Sequence, residues 1–334
     1  MSLEIRILTF KIYNMLSSLA KNILTTIVYY DVLDYPLTVF EIWKYLICME
    51  GEKRDEEEKK FDLVEVVAIL ENGELRNLVQ EHQGFYFLES REALVAQRIE
   101  RTKISEKKLK IIFAVTKYLR WVPYLRMIAV TGRLAMKNTE KDSDIDVLIA
   151  MRKGKIFTGR LLFTLALHFL GKRRHDKKIA NRVCLNYFIT EDSLEIKLKD
   201  LFSASEYFFI LPIFGWETFQ KFQKDNSWII DYKPNYFPAE IAGAKMVEDS
   251  IFSRFLRKLG EKILDSKWIE KFLKRWQLQK IARNPKTKQK GGLIIAEDEA
   301  LVFLPEPQGP KIFEKFSLKM AEILEKDRKL RSMA

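Results

Sequence analysis

The stretch VTGRLAMKNTEKDSDIDVLI, residues 130–149, constrains this chain more than any other. Asp144 and Asp146 stand one residue apart in an apolar, β-branched run. Side chains alternate across a strand, so both carboxylates face one side while Ile145 and Val147 face the other. Carboxylates spaced this way lie about 5–7 Å apart. Two like charges on one face cost free energy unless a cation neutralises them. Magnesium supplies that charge and takes oxygen ligands together with substrate phosphates. Upstream, Gly132 ends a second apolar run, YLRMIAV, where a glycine lets backbone approach a phosphate. A lone DxD is a weak signal. Strand, glycine turn, short helix RLAMKN, loop and DxD strand together form a compound one, suited to phosphoryl or nucleotidyl transfer.

These residues resemble the signature of the polymerase-β-like nucleotidyltransferase superfamily: a Gly-Ser turn, a helix, then a Ser-Asp-x-Asp strand. The likeness is close over about 20 residues and covers 124–190 in outline. It implies two magnesium ions, with manganese as an alternative, held by Asp144 and Asp146. It also implies NTP binding at Thr131, Gly132, Arg133 and Ser143, the serine shaping the loop before the strand. A wider likeness, to prokaryotic proteins with an N-terminal winged-helix-like part and the phrase CLNYFIT, implies no substrate. Two positions depart from the pattern. The family serine is Arg133 here, which can grip phosphate or fill the pocket. The third carboxylate, expected on the following strand as ligand and activator of the nucleophile, is replaced in RVCLNYFIT by Asn186. An asparagine can lend a metal a neutral oxygen but cannot act as a base. Asp176 and Asp192 flank that strand and substitute only if their loops fold inward.

The remaining pattern places the motif in an α+β chain. Residues 1–92 read as a winged-helix-like module: a helix over 17–33, a second capped by Thr38, a charged loop at 50–60, a third helix ended by Gly73, and a hairpin turning at Gly84. The third helix carries Asp62, Glu65, Glu71 and Glu74, which suits packing or protein contact better than a phosphate backbone. Residues 93–122 form a charged helical connector stopped by Pro123. Residues 123–198 form the nucleotidyltransferase-like core, a mixed α/β sheet. Residues 199–334 read as mainly helical, around SASEYFFILPIF, WETFQKFQKDN and 246–282, with a strand pair at 291–305 and a last helix from Pro310 to about Arg328.

Two cysteines without CxxC spacing, no secretory signal and no apolar run long enough to span a bilayer point to a soluble cytoplasmic protein. Cys184 reads as plain core, and His82, His168 and His175 show no ligand spacing. Trp216, Trp228, Tyr232 and Tyr236 read as interdomain packing, with base stacking as the alternative. The net charge of +12 is uneven. Residues 254–290 hold thirteen Lys and Arg against Glu261, Asp265 and Glu270, and a second basic cluster occupies 171–182. Such segments suit a polyanion: nucleic acid, nucleotide phosphates or an anionic membrane surface. The leading expectation is a magnesium-dependent transferase of NMP from NTP to a hydroxyl on a small molecule, protein or RNA end. The alternative is a catalytically degenerate nucleotidyltransferase fold acting as a nucleotide sensor or regulatory module.

Overall fold

The computed structural model describes residues 16–48, 61–175, 178–237 and 246–333. The loop expected at 50–60 and Asp176 lie outside them. The chain is α+β, with a mixed sheet and a helical C-terminus.

The N-terminal part runs α1 (Ser18–Val32), β1 (Leu37–Thr38), α2 (Val39–Lys44), α3 (Leu63–Glu71), β2 (Val79–His82) and β3 (Phe85–Leu88). Thr38 and Asp62 cap α2 and α3, and Glu41 and Glu65 close capping boxes by accepting from the cap N–H groups. Two of the acidic residues of α3 are therefore spent on its own N-terminus. The three strands are antiparallel in the order β1-β3-β2. The two-residue β1 had no sequence signal, being too short to show alternation.

A 27-residue helix, α4 (Ala93–Leu119), joins this part to a six-stranded sheet. β4 (Leu125–Val130) lies antiparallel to β5 (Ile145–Met151), and β5 lies parallel to β6 (Val183–Thr190). Between them come the four-residue α5 (Gly132–Ala135) and α6 (Ile156–Phe169). Beyond α7 (Leu201–Phe208), the segment FILPIF is not helical: Leu211–Phe214 forms β7, pairing with β4 at the sheet edge. An edge is where a strand tolerates Pro212. After α8 (Trp216–Asp225), α9 (Ile251–Ile263) and α10 (Lys267–Arg283), β8 (Leu293–Ala296) and β9 (Ala300–Leu304) extend the sheet to β7-β4-β5-β6-β9-β8. The last helix, α11 (Gln308–Met333), returns to pack Phe316 and Leu324 with the α1 core.

Both faces of the sheet are covered. Val147, Ile149 and Met151 meet α4 and α6, whereas Leu148 and Ala150 meet α7 and α8. Burial on both sides explains the near-continuous apolar runs of β4 and β5. Trp216, Trp228, Tyr232 and Tyr236 sit in or against the second of these cores.

One lysine in this packing is costly. Lys233 is fully buried, its Nζ donating to the Tyr45 carbonyl and the Tyr30 hydroxyl at 3.1 Å and lying over the Tyr30 ring. Burial pushes its ammonium well below the ordinary lysine range. The folded chain then binds fewer protons than the unfolded one below pH 10.5, so stability rises with pH through that window. Lys233→Met should remove this rise, worth up to about 1.4 kcal/mol per pH unit. Denaturant midpoints of both proteins at pH 7 and pH 9 measure it; parallel pH profiles would exclude a depressed lysine.

Candidate metal and nucleotide site

β4 ends in Val130, and the chain turns sharply at Thr131 and Gly132. The Thr131 N–H donates to the Asp146 carbonyl at 3.1 Å, which keeps the turn against β5. Gly132 has φ of +64°, and a Cβ added there would lie 3.4 Å from Asp146 Oδ2. The backbone angle favours glycine, and a side chain there would rest in contact with the carboxylate.

Asp144 and Asp146 come together at the start of β5. One carboxylate oxygen of each and the Cys184 sulfur all lie within 4.8 Å of one another, a group able to hold a metal ion. Cys184 enters because β6 runs beside β5 with Asp146 opposite Cys184. The next register pair is Leu148 with Tyr187, so β6 spends three steps where β5 spends two. Cys184 and Asn186, two apart on β6, both act on the Asp146 carboxylate in favour of its charged form. Reading Cys184 as plain core is therefore corrected. Its period-two relation to Asn186 was the available signal.

The electrostatics follow from this crowding. Burial, and then the charge of Asp144, push the Asp146 carboxyl up to about 6. Arg174 and the bonds from Cys184 and Asn186 pull the other way. Burial and the two aspartates push the Cys184 thiol up to about 12, so it stays protonated at neutral pH.

Three cations and one acid come near this region, of which only Arg174 lay in a segment the sequence had marked, the basic cluster 171–182. Arg174 places Nη1 2.5 Å from Asp144 Oδ2 and 3.4 Å from Cys184 Sγ. It is carried there by the basic segment, which Arg174 N–H and Val183 N–H bind to the start of β6. Lys108, buried on α4, donates to the Ser143 carbonyl and hydroxyl at 2.5 and 2.9 Å. Burial lowers its ammonium, against the pull of Asp144, Asp142 and Glu140. Arg101, one α4 stretch earlier, bonds Asn138 and Glu140 of the same loop. Glu206 on α7 is pushed up to about 7 by burial, then by Asp146 and Asp200.

The remaining expected residues are placed as follows. Ser143 is locked in the loop, bonded also to Thr139 and to the Glu140 carbonyl. Arg133 donates its Nη1 to Glu140 at 2.8 Å, both side chains being about half exposed. Asp192 follows the far end of β6 and pairs with Lys153 at 2.6 Å, away from Asp146. The basic segment 171–182 thus reaches the site, through Arg174.

No family model, curated protein or solved structure matches the chain. The site must be read from its own chemistry.

Asp146 is ionised more easily in the unfolded chain, so folding loses stability as pH climbs from about 4 to about 6. Asp146→Asn should raise stability at pH 7 by about 2 kcal/mol relative to its effect at pH 4. In carboxyl carbon NMR, Asp144→Asn should lower the Asp146 midpoint toward the ordinary aspartate range and Arg174→Ala should raise it. A midpoint indifferent to both variants would show that the three groups are not in contact.

Proposed function

We propose that this chain is a divalent-metal-dependent nucleotidyltransferase moving an NMP group from an NTP to an acceptor hydroxyl. The observation that carries the reading is the close meeting of Asp144, Asp146 and the Gly132 turn. It places a like-charged pair directly beside a backbone with room for a phosphate. The donor set fits magnesium or manganese through its two carboxylates. Cys184, held as a thiol, supplies no hard ligand, and Asn186 offers a neutral oxygen. Asp144 and Asp146 would hold the ions, which neutralise the triphosphate and polarise its α-phosphorus. Gly132 leaves space for the terminal phosphates, and Arg174 with its basic neighbours adds positive charge at the mouth. In the transfer, the acceptor oxygen bonds to the α-phosphorus and the bond to the β-phosphate bridging oxygen breaks. Pyrophosphate leaves, and the hydroxyl proton passes to a base. Asn186 cannot take that proton; Glu206, whose carboxyl is pushed up to about 7 by burial and then by Asp146 and Asp200, is the nearby acid that the metal does not claim.

The N-terminal order α1–β1–α2–α3–β2–β3, with its β1-β3-β2 sheet, supports the winged-helix-like reading. Its tight union with the core favours packing over DNA reading. Tyr35 donates to the Met136 carbonyl at 2.8 Å, and Asn138 to the Leu33 carbonyl at 2.8 Å.

A second reading, a nucleotide sensor that no longer transfers, is favoured by Asn186 on β6 and by Arg174 already paired with Asp144. Calorimetric NTP titrations with and without magnesium, followed by transfer of label from radioactive NTP into a cell extract, separate the two. For a transferase, binding requires the metal, label is transferred, and Asp144→Asn abolishes both. Metal-dependent binding without transfer selects the sensor, and NTP affinity without metal, or none, overturns the site.

A further inference from the structure

α9 docks with its amphipathic face reversed, and α10, although Leu273 and Leu278 pack on the core, leaves a second apolar row outside. A surface helix normally turns its apolar stripe inward. The inner face of α9 is instead small and polar. Ser253 is buried against Asp249, and Arg257 donates to the Arg120 carbonyl at 2.7 Å. Gly260 is so close to Pro123 that a Cβ there would lie 2.7 Å from its ring. Glu261 accepts from Tyr124 N–H and from Arg126. On α10, Glu270 caps the start of α6 through the Phe157 and Thr158 N–H groups, and Gln277 bonds the Phe157 carbonyl and Arg160.

The outward face carries what should be inside. On α9, Ile251, Phe255, Leu259 and Ile263 recur every four residues, with Ile251 81% and Ile263 71% exposed. On α10, Trp268, Phe272 and Trp276 repeat the spacing, with Trp268 73% exposed and stacked on Phe272 at 5.9 Å. One residue ahead of each stripe runs an exposed basic one: Arg254, Lys258 and Lys262 on α9, Lys267, Lys271 and Arg275 on α10. The three acidic residues of the segment are all engaged toward the body, Glu261 with Arg126, Glu270 with α6 and Asp265 with Lys155. Among the described residues, then, both helices offer apolar and cationic rows side by side, with their carboxylates turned away.

Charge and chemistry select the occupant. A second copy of this face would bring its own basic rows against these. A polynucleotide would satisfy the cations and stack on the rings, but it would leave Ile251, Leu259 and Ile263 with nothing apolar to enter. Anionic lipid meets both needs at once, and aromatic and aliphatic rows edged with Lys and Arg are the pattern of helices lying in a membrane interface. Among the described residues no helix is long and apolar enough to cross a bilayer. We propose that α9 and α10 form a docking surface for an anionic phospholipid membrane, with Ile251, Phe255, Ile263 and Trp268 entering the acyl boundary and the basic rows meeting headgroup phosphates. The surface is independent of the carboxylate site.

The test uses the full chain, vesicles of phosphatidylcholine alone, and vesicles containing phosphatidylglycerol, read by co-sedimentation and by the blue shift of tryptophan emission. Binding is expected only with the anionic lipid and should weaken with salt. Ile263→Asp and, separately, Lys258→Glu with Arg275→Glu should each weaken it by at least about tenfold. These side chains are exposed, and circular dichroism checks that the variants stay folded. No vesicle binding, equal binding to both lipids, or indifference to Ile263→Asp overturns the proposal. So does tight binding of a mixed-sequence RNA oligonucleotide without vesicle binding, or a dimer in solution that Ile263→Asp dissolves.

Discussion

Holding Asp144 and Asp146 together is the constraint around which this fold is arranged. Two carboxylates at the start of a buried strand repel each other and resist burial. The structure answers with groups from three directions. Arg174 comes from the segment before β6, Cys184 and Asn186 come from β6 itself, and Lys108 fixes the preceding loop from α4. These groups do not offset the burial of Asp146 and its neighbour's charge, as its raised carboxyl records. The site therefore favours added positive charge, beside a turn whose backbone angle favours glycine.

α4 carries that constraint to the rest of the molecule. Its buried polar residues lie along one side: Arg98 on Glu41 and over the Tyr35 ring, Arg101 on Asn138 and Glu140, Ser105 on the Thr139 N–H, and Lys108 on Ser143. One helix thus fastens the N-terminal strands and helices to the loop that presents the aspartates. Buried charges of this kind hold a geometry because a broken pair leaves an uncompensated ion inside.

What could be read from the sequence was whatever repeats locally. The alternation of DSDIDVLI put Asp144 and Asp146 on one side of a strand, the caps at Thr38 and Asp62 marked helix starts, and Gly84 marked a hairpin. Two kinds of feature were hidden. β1 and β7 are too short, or too uniformly apolar, for periodicity to separate strand from helix, and Pro212 was the one clue at β7. The neighbours of the carboxylates, Arg174, Cys184, Lys108 and Glu206, arrive from distant segments, and only pairing of β5 with β6 and the path of α4 bring them in. The basic character of 254–290 was plain from counting. That its apolar residues face outward depends on Gly260 and Glu261 claiming the inner side, which a helical pattern alone cannot reveal.

The extra residue in β6 has an evolutionary consequence. It separates the strand into a front half, whose residues 184 and 186 act on Asp146, and a back half, whose residues 188 and 189 fill the cores. Each half keeps its own register with β5, so substitutions at the front need not be matched by repacking at the back. Position 186 is thereby open to change at small structural cost: a carboxylate in place of the asparagine would alter the charge beside Asp146 without disturbing the interior.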